Sequence, residues 1–209
     1  MASNIMNKEA TVMIVGHSFV RRLHRECGND ALHKLRLDQH FKAVTFGPQS
    51  ILFDDLYHAK LATLCRNRGV SILVVDIGTN DISNLTKVDE DQVVEWAGDL
   101  IAFTDGLPVK GVVLCHVLPR TRRIACTEME FRINADTYND ALKRLAVNTK
   151  FVINTQQGFS NMYEENIRRV IHRPVETWSD DGIHIAARSM PKYTQRLRQA
   201  VLAAKRAMD

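Results

Sequence analysis

A chain of 209 residues, 45% of them hydrophobic and 25% charged, carries enough apolar material for a core that needs no staples. Its 28 Lys and Arg against 24 Asp and Glu leave a net charge of +4, which permits an acidic partner but does not demand one. No apolar run approaches the ~20 residues of a membrane span, and the segment 1–10 is too polar to begin a signal peptide. The expectation is a soluble protein, neither secreted nor anchored, with one domain over 11–209 behind a polar tail at 1–10. Cys27, Cys65, Cys115 and Cys126 are scattered without a C-x-x-C spacing. That usage suggests reduced thiols, mostly core fillers, in an intracellular and cytoplasmic setting.

The first apolar run, Thr11–Val15, reads as a strand, and Ala43–Phe46 as a second. Ser50 is placed to cap a helix with Leu52, Phe53, Leu56, Tyr57, Leu61, Leu64 and Cys65 on one side, stopping near Gly69. Ile72–Ile77 is the third strand, and Val88–Phe103 the next amphipathic stretch. Gly111–Val117 is the fourth strand. Phe131–Val147 follows, with Tyr138, Ala141, Leu142 and Leu145 at helical spacing, and then the strand Phe151–Asn154. Thr155 to Ser179 shows no clear period, and long irregular stretches in compact domains are often functional. Ser189-Met190-Pro191 opens a last helix with Tyr193, Leu197, Val201 and Ala204 on one face. The strands are continuously apolar, as strands covered on both faces are. Their alternation with helices predicts an α/β protein with a parallel sheet and helices on both sides.

In such sheets chemistry gathers beyond the C-terminal ends of the strands. The first strand runs into Gly16-His17-Ser18, where Ser18 reads either as a helix cap or as a nucleophile. It is not a G-x-S-x-G elbow, because position 20 is Val. The second strand ends at Gly47-Pro48, either an ordinary turn or a place where a backbone N–H approaches a substrate oxygen. The third ends in Asp76-Ile77-Gly78-Thr79-Asn80-Asp81, where Asn80 is a turn residue or an oxyanion donor. Near the C-terminus stands Asp181-Gly182-Ile183-His184, preceded by Asp180. A serine, a histidine and a carboxylate are what acyl transfer by a nucleophilic hydroxyl requires.

Together Gly16-His17-Ser18, Gly47, Gly78-Thr79-Asn80-Asp81 and Asp181-x-x-His184 resemble the SGNH (GDSL-like) hydrolase superfamily, in its block order, over roughly residues 11 to 204. The resemblance implies a three-layer α/β/α sandwich, flavodoxin-like, with a parallel five-stranded sheet in the order 2-1-3-4-5. It implies Ser18 as nucleophile, His184 as its base and Asp181 as the carboxylate that orients His184. The oxyanion hole would be the N–H groups of Ser18 and Gly47 with the side chain of Asn80. The chain departs from the family at His17, where aspartate is usual. The serine and the D-x-x-H pair carry the family's chemistry, so His17 need not abolish it. The implied activity is that of a serine esterase without a cofactor, acting on a small-molecule or lipid ester.

The fourth strand leads into Pro119-Arg120-Thr121-Arg122-Arg123, which would lie at the pocket rim, and Arg21 and Arg22 follow Ser18. His17, Arg120 and Arg122 are the rim candidates, since arginine favours carboxylate and phosphate groups. A solvated charge run is the plainer reading of the same residues. SGNH-like domains also occur in retroelement-encoded and RNA-binding proteins, some without hydrolase activity. This keeps open a second class, a module that binds RNA or another polyanion weakly. The last helix, with Lys192, Arg196, Arg198, Lys205 and Arg206, would extend its surface. The eight histidines are dispersed, with no H-E-x-x-H or similar metal cluster.

Overall fold

The computed structural model describes residues 10–16, 19, 20, 23, 41–46, 55–118, 125–156, 162–164, 169–171 and 184–209, with backbone alone for 41–46, 55–58, 162–164 and 169–171. In chain order the elements begin with β1 (Ala10–Gly16), β2 (Phe41–Phe46), α1 (Asp55–Asn67), β3 (Val70–Asp76), α2 (Thr79–Asn84) and α3 (Glu90–Asp105). They continue with β4 (Gly111–Cys115), α4 (Glu128–Leu145), β5 (Phe151–Asn154), β6 (Met162–Glu164) and β7 (Arg169–Ile171). A 3-10 turn (Ala187–Ser189) then leads into α5 (Met190–Met208). Among the described residues no helix is long and apolar enough to cross a membrane.

All the pairings of the main sheet are parallel. β1 lies between β2, with Val15 opposite Phe46, and β3, with Gly16 opposite Asp76. β3 pairs with β4, and β4 with β5, where Cys115 faces Asn154. Successive residues of a strand point to opposite faces, and here both faces are covered. Val12, Ile14, Ile72, Val74, Val113 and Cys115 pack against Phe19, Val20, Leu23 and, from α5, Tyr193, Leu197 and Val201. Met13, Val15, Leu73, Val75, Val112 and Leu114 pack against Leu61 and Cys65 of α1, Val93 and Ala97 of α3, and Phe131, Tyr138 and Leu142 of α4. Double burial is the physical reason for the unbroken apolar runs. Each buried Val or Leu contributes about 1.5–3 kcal/mol. This is the α/β arrangement of parallel sheet and helices that the alternation of runs leads one to expect.

Several element ends differ from the sequence pattern, each for a visible reason. β4 stops at Cys115 rather than Val117, because Asn139 of α4 occupies the backbone of Val117. Its Oδ1 accepts from the Val117 N–H at 2.8 Å and its Nδ2 donates to the Val117 carbonyl at 3.1 Å. α4 starts at Glu128, ahead of its first apolar residue, because Thr127 and Glu130 form a reciprocal capping box. α3 starts at Glu90, behind an Asp89 cap that accepts from the Gln92 N–H at 3.3 Å. The stretch read as irregular, Thr155 to Ser179, contains the antiparallel hairpin β6–β7, with Glu164 opposite Arg169. Before α5, the Ser189 side chain makes no cap; the Ser189 N–H closes the 3-10 turn on the Ala186 carbonyl at 2.8 Å. Pro191 lies in the first turn of α5, as expected. Cys65 and Cys115 are buried thiols and Cys126 a half-buried one; Cys27 and the Ser50 cap with Leu52 and Phe53 lie outside the described residues.

Candidate active site

Three neighbouring strands end at one edge of the sheet. Phe46 is opposite Val15, and Gly16 is opposite Asp76. The residues that immediately follow these ends are Gly47, His17-Ser18 and Ile77-Gly78. Gly16 leaves no space for a side chain here. A Cβ on Gly16 would stand 2.4 Å from the Asp76 carbonyl oxygen and 2.6 Å from Val20 Cγ2.

Beyond β3 the chain turns sharply. Gly78 has φ +100°, a left-handed conformation that other residues rarely adopt, and it caps α2. There is no room for a side chain, since a Cβ would meet Val117 Cγ2 at 3.2 Å and the Tyr138 ring at 3.4 Å. The Ile82 N–H donates to the Gly78 carbonyl at 3.0 Å, closing the first turn. Thr79 is fully buried, whereas Asn80 and Asp81 are half-buried. The turn thus directs Thr79 inward and leaves Asn80 partly accessible at the C-terminal edge of the sheet. Tyr138 is fully buried beneath it, and its phenol pKa is raised by burial first and then by the Asp81 and Asp76 carboxylates. Among the described residues, neither the Tyr138 hydroxyl nor Thr79 Oγ1 finds a hydrogen-bond partner.

His184 is half-buried at the start of the last described segment. Ile185, directly after it, is fully buried, and Ala186 is buried too. The 3-10 turn and the first turn of α5 then bring Tyr193 into the core, at 0% exposure. Its hydroxyl donates to Oδ2 of Asp76, the last residue of β3, itself 1% exposed. A carboxylate this deep is costly without a donor. Burial, and after it the Asp76 charge, holds the Tyr193 pKa far above the ordinary phenol range, so the phenol keeps its proton. Cys115 of β4 is raised by the same two causes in the same order, so it stays a thiol.

At the ends of β4 and β5 the polar groups bind one another. The His116 N–H donates to the Asn154 carbonyl at 3.0 Å, and Gln156 Nε2 donates to the His116 carbonyl at 3.3 Å. Gln156 takes a left-handed φ of 48°, held there by its own N–H on Asn154 Oδ1 at 3.2 Å. The His116 imidazole is buried, and its pKa falls from 6.5 to about 4, through burial first, with Lys143 nearby adding to the shift and Asp140 opposing it. The folded chain therefore takes up this proton later than the unfolded chain does. Stability is highest above pH 6.5 and is lost as pH falls from there toward 4, by about 3 kcal/mol at ~1.36 kcal/mol per unit. His116→Leu should remove that share of the acid sensitivity. Urea midpoints at pH 7 and pH 4 check it, and an equal loss in both proteins counts against the assignment.

Of the residues singled out in the sequence, Asn80 and His184 are described here. His17, Ser18, Gly47, Arg120, Arg122 and Asp181 lie outside the described residues, as do Arg21, Arg22, Arg123 and Asp180. Asp76, Tyr138, Asn139 and the hydroxyl of Tyr193 were not singled out for this region. An ionisable residue ending an apolar strand is the one signal that pointed to Asp76, because such a group needs a partner. Among the described residues, no three His, Cys, Asp or Glu side chains gather where they would hold a metal ion.

No family model and no curated protein matches the sequence. Solved structures do match in shape. A Bacteroides fragilis protein assigned as an acylhydrolase superposes with a TM-score of 0.59 at 16% identity, over 100% of this chain and 90% of its own. An acetyl esterase, a serine-to-alanine mutant with acetate ion, gives 0.56 at 16% identity, over 95% and 98%. A carbohydrate esterase of family 3 from Talaromyces cellulolyticus gives 0.54 at 15% identity, over 95% and 98%. At such identities the likeness is one of fold, and the chain has the α/β fold of these acylhydrolase and carbohydrate esterase structures.

Proposed function

We propose that the chain is a serine ester hydrolase of the SGNH type, one domain over 11–209 with the sheet order 2-1-3-4-5. The observation that carries this reading is the register at the sheet edge: Gly16, Phe46 and Asp76 end three adjacent parallel strands. The blocks His17-Ser18, Gly47 and Gly78-Thr79-Asn80 each follow one of those ends. The fourth block, Asp181-x-x-His184, leads into the helix whose Tyr193 is bonded to Asp76. The fold shared with esterase structures supports the same reading.

In this scheme the Ser18 hydroxyl attacks the ester carbonyl while His184 takes its proton and Asp181 holds the imidazole. The oxyanion is met by the Ser18 and Gly47 N–H groups and the Asn80 amide. His184 then returns the proton to the departing alcohol. Water, deprotonated by His184, releases the acid and restores Ser18. No cofactor is required, and the substrate class is a small-molecule or lipid ester. The polyanion-binding alternative has no comparable support.

A fluorophosphonate probe tests the proposal directly. It should phosphonylate Ser18 of the native protein with loss of fluoride, and peptide mass spectrometry should find the adduct there. Heat-denatured protein should not be labelled. Absence of label, or label on another serine such as Ser179, would overturn the assignment.

A further inference from the structure

We propose that Tyr193 is a positioning residue that sets the candidate catalytic blocks in register with one another. The inference rests on the hydrolase reading above and adds a residue to it. Tyr193 reaches core residues that are close in sequence to three of the blocks. Its hydroxyl is bonded to Asp76, which closes β3 two residues before Gly78 and four before Asn80. Its ring meets Phe19, the residue after Ser18, edge to face, with centroids 6.3 Å apart and planes at 68°. Its own helix follows His184 through a segment with little freedom, since Ile185 and Met190 are buried in the same core cluster as Tyr193 and Phe19. One side chain therefore touches Asp76, four residues before Asn80, and Phe19, the residue after Ser18, and it stands on the helix that follows His184.

The chemistry of the contact suits this task. The bond joins a buried phenol to a buried carboxylate, so water does not compete for either end. A phenol also has few rotatable bonds, and the Phe19 contact fixes the plane of its ring. A plain core filler at this position would need the ring and not the hydroxyl. The two roles separate at Tyr193→Phe, which keeps the ring and deletes only the O–H.

The test compares wild type with Tyr193→Phe on p-nitrophenyl acetate, alongside the His184 imidazole and Asn80 amide signals in NMR spectra. A misplaced catalytic group costs rate rather than ground-state binding. kcat should fall about 10–100-fold, with KM within about twofold. The His184 and Asn80 signals should shift, while those of α3 stay in place. Wild-type kcat together with unmoved His184 and Asn80 signals would overturn the proposal. Deleting the hydroxyl strips a donor from the buried Asp76; for the case in which that variant does not fold, the double variant Tyr193→Phe/Asp76→Asn removes the charge as well. That variant should keep the reduced kcat, and a return to wild-type kcat would again overturn the proposal. If wild type neither turns over the ester nor takes the fluorophosphonate, the hydrolase reading fails. The NMR comparison still decides on its own whether Tyr193 sets the positions of His184 and Asn80.

Discussion

Ser18→Ala and His184→Ala should each lower kcat on an activated ester by about 10⁴–10⁶-fold, and the double variant should be no worse than either alone. A nucleophile and its base act as one unit, so removing the second after the first has little left to remove. Asn80→Ala should behave differently. It deletes one oxyanion donor, and kcat should drop about 10²–10³-fold with KM nearly unchanged, because that bond strengthens mainly in the transition state. Neither His184→Ala nor Asn80→Ala should act through unfolding. His184 and Asn80 are half-buried, and the buried anchors beside them, Ile185 and Thr79, are untouched. Steady-state kinetics with circular dichroism as the fold control decides the matter. Full activity in Ser18→Ala or His184→Ala would exclude the triad. A raised KM with normal kcat in Asn80→Ala would make that residue a binding group only.

Gly16→Ala is the substitution expected to harm the fold most. The new methyl would lie 2.4 Å from the Asp76 carbonyl oxygen and 2.6 Å from Val20 Cγ2. Neither obstacle can swing away. The first is main chain in the centre of the sheet, and the second belongs to a side chain with 0% exposure. Strand β1 would have to part from β3 at the end where the candidate site lies. Overpacking of this kind costs about 3 kcal/mol or more, a large part of the roughly 5–15 kcal/mol that holds a domain together. The melting temperature should fall by roughly 10 °C. Gly98 of α3 is the control. A Cβ there has its nearest neighbour, Leu145 Cδ1, at 4.0 Å, so Gly98→Ala should raise stability by about 0.5–1 kcal/mol. Thermal melts of the two variants should move in opposite directions, and a Gly16→Ala protein that melts with wild type would refute the packing argument.

Much of the sheet was legible because burial on two faces leaves a mark in one dimension. Residues 72–75 and 112–115 can be nothing but apolar when both neighbours of every residue are core. Asn80 and His184 stand out as candidates in the sequence because G-x-N-D and D-x-x-H keep their residues within four positions of each other. The partnership of Asp76 with Tyr193 was not legible, for the two lie 117 positions apart and each fits a blander description, a strand end and an apolar helix face. The early start of α4 was missed for a different reason. Its first turn is held by polar groups, Thr127 and Glu130, whereas an apolar period shows only at Phe131. The hairpin β6–β7 has three residues to a strand, too few to establish an alternation.

The grip of Asn139 on Val117 has a consequence for how this molecule can diversify. A side-chain amide offers the same donor and acceptor pair as a peptide group, so the helix here plays the part of a neighbouring strand for one residue. Strand β4 therefore ends on a helix side chain at Val117. A sequence of other composition grafted between Leu118 and Ala125 should therefore leave Val117 held by the same two bonds. The end of β4 is fixed from the helix side, independently of the sequence that follows it.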